Sequence, residues 1–129
     1  MNTKKLWMLA LVMMIAAAPA FAGEATQMWR CELGNEADEV MVEAHSAEWL
    51  AAAKKVDGGA NIEAKIFFPV AVNATGQMDV MFVLTWPSFA EWGKFWDAYP
   101  SSDAAGIEED AHEMVVCPDS VLWESILVK

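Results

Sequence analysis

The chain is 129 residues long, carries a formal net charge of −11 and is 56% hydrophobic. That length suits one domain, and so large an apolar fraction excludes an intrinsically disordered chain. With 19 acidic residues against 8 basic ones, there is no cationic surface for nucleic-acid phosphates or for an anionic membrane.

The N-terminus reads as a secretory signal covering residues 1–22. Lys4 and Lys5 make a positive start, Leu6–Ala18 is uninterrupted apolar sequence, and Ala20-Phe21-Ala22 is a small-x-small cleavage site. The apolar run is shorter than the roughly 20 residues a spanning helix needs, and Pro19 breaks it. There is no twin Arg, and no Cys follows the cut. Cleavage leaves a single domain, Gly23–Lys129, expected to be periplasmic or secreted and free of the membrane. Both basic residues of the leader go with it, so the mature domain is more acidic still. Such a surface favours solubility in salt and repels anions.

Cys31 and Cys117 both fall in the mature domain. Export to an oxidising compartment makes a disulfide between them the expected state. The loop-entropy account gives roughly 4 kcal/mol for so long a closed loop. There is no CxxC, and two distant thiols carry no metal-ligand signature, so no metal is expected.

In chain order, Met28–Leu33 reads as a short strand ended by Gly34-Asn35. Residues 36–56 read as a helix. Glu36, Asp38 and Glu39 open it, Lys54-Lys55 close it and Gly58-Gly59 stop it, in keeping with the helix dipole. Ile62–Val72 is the clearest strand, with Ile62, Ala64, Ile66, Phe68, Val70 and Val72 alternating along one face. Asn73–Gly76 is a turn, so the Asn73-Ala74-Thr75 sequon is read as turn chemistry. Met78–Trp86 is the second strand of a hairpin, and Pro69 marks the first as an edge strand. Residues 87–99 form a second helix, with Pro87 in its first turn and Phe89, Trp92, Trp96 and Tyr99 at helical spacing. Ser101-Ser102 caps a third helix over about 103–114. Val121–Val128 is the last strand.

The order β-α-β-β-α-(α)-β is the split βαβ, or ferredoxin-like, pattern with an antiparallel sheet. In that topology the last strand lies antiparallel beside the first. This brings the late end of strand one, at Cys31, to the approach of strand four, at Cys117. The fold and the disulfide are thus reached separately and agree.

The two central strands are apolar on both faces, while helices can cover only one face of such a sheet. A second copy of the chain is the simplest cover for the other. With its second helix reading Pro87-Ser88-Phe89-x-x-Trp92, nearly all of the mature chain resembles the dimeric α+β-barrel superfamily. It is most similar to exported bacterial members with no assigned activity. The resemblance implies a homodimer. It leaves the activity open, because the superfamily holds small monooxygenases, haem-dependent and haem-degrading enzymes, isomerases and ligand-binding members.

His45 is the first candidate for chemistry. A helical wheel sets it on one face with Met41, Val42, Trp49, Ala52 and Val56, pointing at the sheet. In haem-binding relatives a helix His facing that cavity supplies the iron ligand. His45 is therefore either a ligand or catalyst or a core-edge His hydrogen-bonded to backbone or to a strand carboxylate. The Trp set is the second candidate, because aromatic walls suit flat apolar ligands. Trp49, Trp92 and Trp96 join His45 as the expected binding residues. The packing alternative has Trp92 and Trp96 seating the second helix, with Trp29, Trp86 or Trp123 at the dimer seam. Glu108-Glu109-Asp110 through Glu113, with the Glu109-x-x-His112 pair, is read as a solvated acidic face pointing away from the apolar one, with weak surface cation binding as the alternative. Arg30, the only arginine, is expected to pair across strands with Glu32, Glu63 or Glu124; as the sole guanidinium it could instead hold a carboxylate ligand. No Ser-His-Asp order, phosphate loop, HExxH, CxxCH or Rossmann glycine pattern is present.

The expected function is binding of a small apolar or aromatic ligand without a cofactor. The alternatives are a haem protein with His45 as axial ligand, a cofactor-free oxygenase or isomerase, and a non-catalytic structural or interaction module.

Overall fold

The computed structural model describes residues 23–71 and 79–129. The expected signal segment and the Asn73–Gly76 turn lie outside the described residues. The chain runs β1 (Glu24–Leu33), α1 (Glu39–Ala53), β2 (Glu63–Phe67), β3 (Val80–Trp86), α2 (Phe89–Ala98), a 3-10 turn (Tyr99–Ser101), α3 (Asp103–Asp110) and β4 (Val115–Ser125). The four strands form one sheet in the order β2-β3-β1-β4. Each neighbouring pair is antiparallel. This is the α+β, ferredoxin-like architecture. β2 is an edge strand, as expected, but it ends at Phe67 rather than Val72, so Pro69 lies beyond it and takes no part in the ladder.

Side-chain chemistry at the termini sets where the helices begin. The carboxylate of Asp38 accepts the Met41 amide at 2.8 Å, so α1 starts at Glu39 rather than at Glu36. Ser88 Oγ accepts the Glu91 amide at 3.2 Å, which starts α2 after the Pro87-Ser88 pair instead of at Pro87. Ser102 Oγ caps α3 through the Ala105 amide at 3.3 Å. Beyond α1, Gly58 has φ +81°, and a Cβ there would meet the Glu91 carbonyl oxygen at 2.3 Å. Only glycine lets the chain leave α1 so close to α2.

The first and last strands of the chain differ most from expectation. β1 begins four residues before Met28, and the added segment is polar. Thr26 Oγ1 lies 2.8 Å from Ser125 Oγ and 3.3 Å from Thr85 Oγ1, so neighbouring strands satisfy what looks locally like a loop. β4 begins at Val115, not Val121, and ends at Ser125. Pro118 falls inside it. That is tolerated because β4 is an edge strand, where a missing N–H can face outward. The register slips at the same place, between Arg30 and Glu32 of β1. Cys117 and Pro118 together oppose Cys31, as in a β-bulge. Cys117 is therefore within β4 rather than before it. The Cys31–Cys117 disulfide is formed, with 4.1 Å between the Cα atoms.

Alternation divides the sheet into two faces. Ala25, Gln27, Trp29 and Cys31 of β1 and Val80, Phe82, Leu84 and Trp86 of β3 face the helices. Trp86, Phe95, Ile62, Val42, Val80 and Cys31 are the largest fully buried side chains. On the other face lie Thr26, Met28 and Arg30, Met81, Val83 and Thr85, and Phe67, Val121 and Trp123. No helix among the described residues covers them. No helix among the described residues is long and apolar enough to cross a membrane.

Candidate functional site

A cavity of about 320 Å³ opens between α1, the end of α3 and the helix face of the sheet. Its apolar walls include Trp29, Trp49, Trp96, Ile66, Phe82 and Leu84, and its polar lining includes His45, Ser46, Glu108 and His112. α1 contributes Val42, His45, Ser46 and Trp49 at helical spacing, so one face of one helix makes one wall. Met41, placed on that face by the wheel, is 44% exposed and outside the lining.

Of the expected binding residues, the cavity brings His45, Trp49 and Trp96 together. Trp92 is outside the lining. It and Trp96 donate their indole N–H groups to one oxygen, Oε1 of Gln27, at 2.9 and 3.1 Å. Both Trp residues thus seat α2 on β1, and Trp96 also faces the cavity. Trp29 packs against Trp96 with ring centroids 6.1 Å apart, and Trp86 is fully buried. Only Trp123 of the three seam candidates lies on the open face. Trp86 Nε1 has no hydrogen-bond partner among the described residues.

His45 is half-buried and makes no hydrogen bond to any described residue, whether backbone or strand carboxylate. His112 departs from its expected place. The helical wheel stops applying to it because α3 ends at Asp110 and the chain turns. Its ring remains 70% exposed but edges the cavity. Its Nδ1 lies 2.7 Å from the Glu109 carbonyl oxygen. A carbonyl only accepts, so Nδ1 carries the proton, and Nε2 lies 3.9 Å from the Glu113 carboxylate.

The wall formed by α1 and α3 is tied through Tyr99. Its hydroxyl accepts the Trp49 Nε1–H at 2.8 Å and donates to the Glu108 carboxylate. Burial, and then the bond to Glu108, push the Tyr99 hydroxyl well above its ordinary value of 10.0, while the Trp49 N–H opposes the shift. Glu108 is thereby fixed at the cavity. Glu108 is exposed, as the acidic run predicts; its bond to Tyr99 at the cavity edge is what patterning missed. Gln27 and Trp29 were missed as site residues because a strand's alternation does not say which residue of another element it will meet.

Arg30 lies on the open face, away from the cavity. It pairs with Asp119 across to β4, with Nε 3.1 Å from Oδ1. The cross-strand carboxylate was expected, but it is Asp119 because β4 reaches further back than Val121. The Arg30 hydrogen bond holds the Asp119 carboxyl below its usual range. Among the described residues no three His, Cys, Asp or Glu side chains gather as a metal site.

Neither a family model nor a curated protein sequence matches the chain. Similar solved structures include a candidate chlorite dismutase, at 10% identity and a TM-score of 0.49, over 78% of this chain and 44% of that one. The chain therefore spans less than half the length of that protein. A Rhodopseudomonas palustris protein of unknown function aligns at 14% identity and a TM-score of 0.44, over 92% of this chain and 93% of its own. The methylated form of the same protein aligns at 13% identity and 0.43, over 92% and 91%. The fold assignment rests on the strand order and pairing, not on these likenesses.

Proposed function

We propose that the chain is an exported protein that binds a small, flat, apolar molecule between its helices and sheet, and that two copies pair as a dimeric α+β barrel. The observation that carries the binding reading is the cavity of about 320 Å³ walled by three indoles. Pockets for small organic ligands begin at about this size and are mostly apolar with a few polar groups. The disulfide supports an oxidising compartment. The uncovered apolar sheet face supports pairing, with Phe67 48%, Val121 44% and Trp123 54% exposed. Binding without chemistry is the reading preferred, because Ser46 of the lining makes no hydrogen bond to His45, Glu108 or His112.

Haem is a poor match to this lining. His45 offers one axial donor, but two propionates call for cations. The one Lys or Arg in the lining is Lys65, and alternation along β2 sends its side chain to the open face. Glu108 adds a negative charge instead.

The test is titration with N-phenyl-α-naphthylamine, a neutral flat probe, read by Trp quenching and probe emission. Saturable binding in the wild type and its loss in Ser46→Phe, which fills the cavity, is the expected result. Absence of binding, or equal binding by both proteins, would overturn the reading. A Soret band that appears on haem titration and vanishes in His45→Ala would favour the haem protein instead.

A further inference from the structure

We infer that the ligand of this cavity is an aromatic molecule with an N–H or O–H donor and no negative charge, its rings among Trp29, Trp49 and Trp96 and its donor on Glu108. The inference rests on the binding reading above and narrows its chemistry.

The charges around the cavity point one way. Glu108 is the acidic side chain of the lining. One of its oxygens, Oε2, accepts the Tyr99 hydroxyl, and Oε1 has no hydrogen-bond partner among the described residues. The carboxylate is therefore both anchored and able to accept again. Such charge-assisted bonds are among the stronger ones. No cationic side chain offsets it, since Lys65 is directed to the open face by alternation.

The surroundings add to this bias. Ala111 and His112 follow the C-terminal end of α3, where the helix dipole leaves partial negative charge. The whole chain carries −11, and its field repels an approaching anion. A carboxylate ligand would meet the Glu108 carboxylate, an exposed group at the cavity edge whose Oε2 is held by Tyr99. A phenol or an aromatic amine would meet an acceptor.

The experiment compares naphthalene, β-naphthol and β-naphthoate, which share one ring system, by Trp quenching at neutral pH. β-Naphthol is expected to bind at least ~10-fold more tightly than β-naphthoate, since one bond to a charged group is gained and one repulsion avoided. In Glu108→Gln that ratio is expected to collapse to about threefold or less, with naphthalene unaffected. In Glu109→Gln, which removes the same charge outside the lining, the ratio is expected to persist. If Glu108→Gln does not fold, Glu108→Asp withdraws the carboxylate and reads the same ratio. Equal or tighter binding of β-naphthoate by the wild type would overturn the inference and leave the cavity reading intact, as would an unchanged ratio in Glu108→Gln. If none of the three binds, the cavity reading itself fails, and this inference with it.

Discussion

Gln27 presents one carbonyl oxygen to two indoles, and its amide nitrogen lies 3.3 Å from Ser120 Oγ. Indoles only donate, so the amide has one workable orientation. Replacing Gln27 with Leu keeps the volume but strands two N–H groups. The expected cost is about 2 kcal/mol, measured by urea unfolding, since unpaired buried donors carry a desolvation penalty. Tyr99 allows a second test, because it is the only tyrosine in the chain. An alkaline titration followed by tyrosinate absorbance therefore reports it alone. Its midpoint is expected above the ordinary 10.0, and lower in Glu108→Gln. The folded hydroxyl holds its proton to higher pH than the unfolded one. Its contribution to stability is thus whole below pH 10.0 and lost as pH rises through the raised value. At this scale His45, Trp49 and Trp96 were legible as cavity residues, because helical spacing fixes which side chains share a face. Glu108 and Gln27 were not, because their roles depend on Tyr99 and Trp92, far away in sequence.

Among the elements, order and type could be read from periodicity and punctuation. The boundaries that moved are those set by tertiary partners. Residues 24–27 became strand through Thr85, Ser125 and the two indoles, not through their own pattern. Pro118 looked like a barrier before the last strand, yet the bulge at Cys117-Pro118 takes it into β4. The disulfide lies at that bulge and closes a loop with a sequence separation of 86 residues. Changing both Cys31 and Cys117 to Ser is expected to lower stability by about 2–4 kcal/mol, with a matching fall in Tm. Cys117 also lines the cavity, so probe affinity is expected to fall in the same variant as the 115–117 segment loosens. Unchanged affinity would place the cavity wall's order elsewhere.

For the whole molecule, the question is what covers the open sheet face. Two-sided apolarity of the strands was visible in the sequence and is present in the structure. Which residues form the uncovered face follows only from the register. Phe67, Val121 and Trp123 stand out on it, with the Arg30–Asp119 pair between β1 and β4. If two copies meet there, Phe67→Glu with Trp123→Glu places like charges in the seam and is expected to yield a folded monomer from a dimer. Native mass spectrometry reads the mass, and circular dichroism reads the fold. A wild-type monomer would remove the pairing.

The shared acceptor at Gln27 also makes the protein its own clock. The indole protons of Trp92 and Trp96 exchange with solvent only when α2 lifts from β1, and one oxygen governs both. They are expected to be lost at a common slow rate in deuterated water. The Trp49 proton, held by Tyr99, times a different event, the parting of α1 from the turn after α2. Trp123, largely exposed, exchanges first. The order in which these signals fade would trace the order in which the layers of the fold come apart.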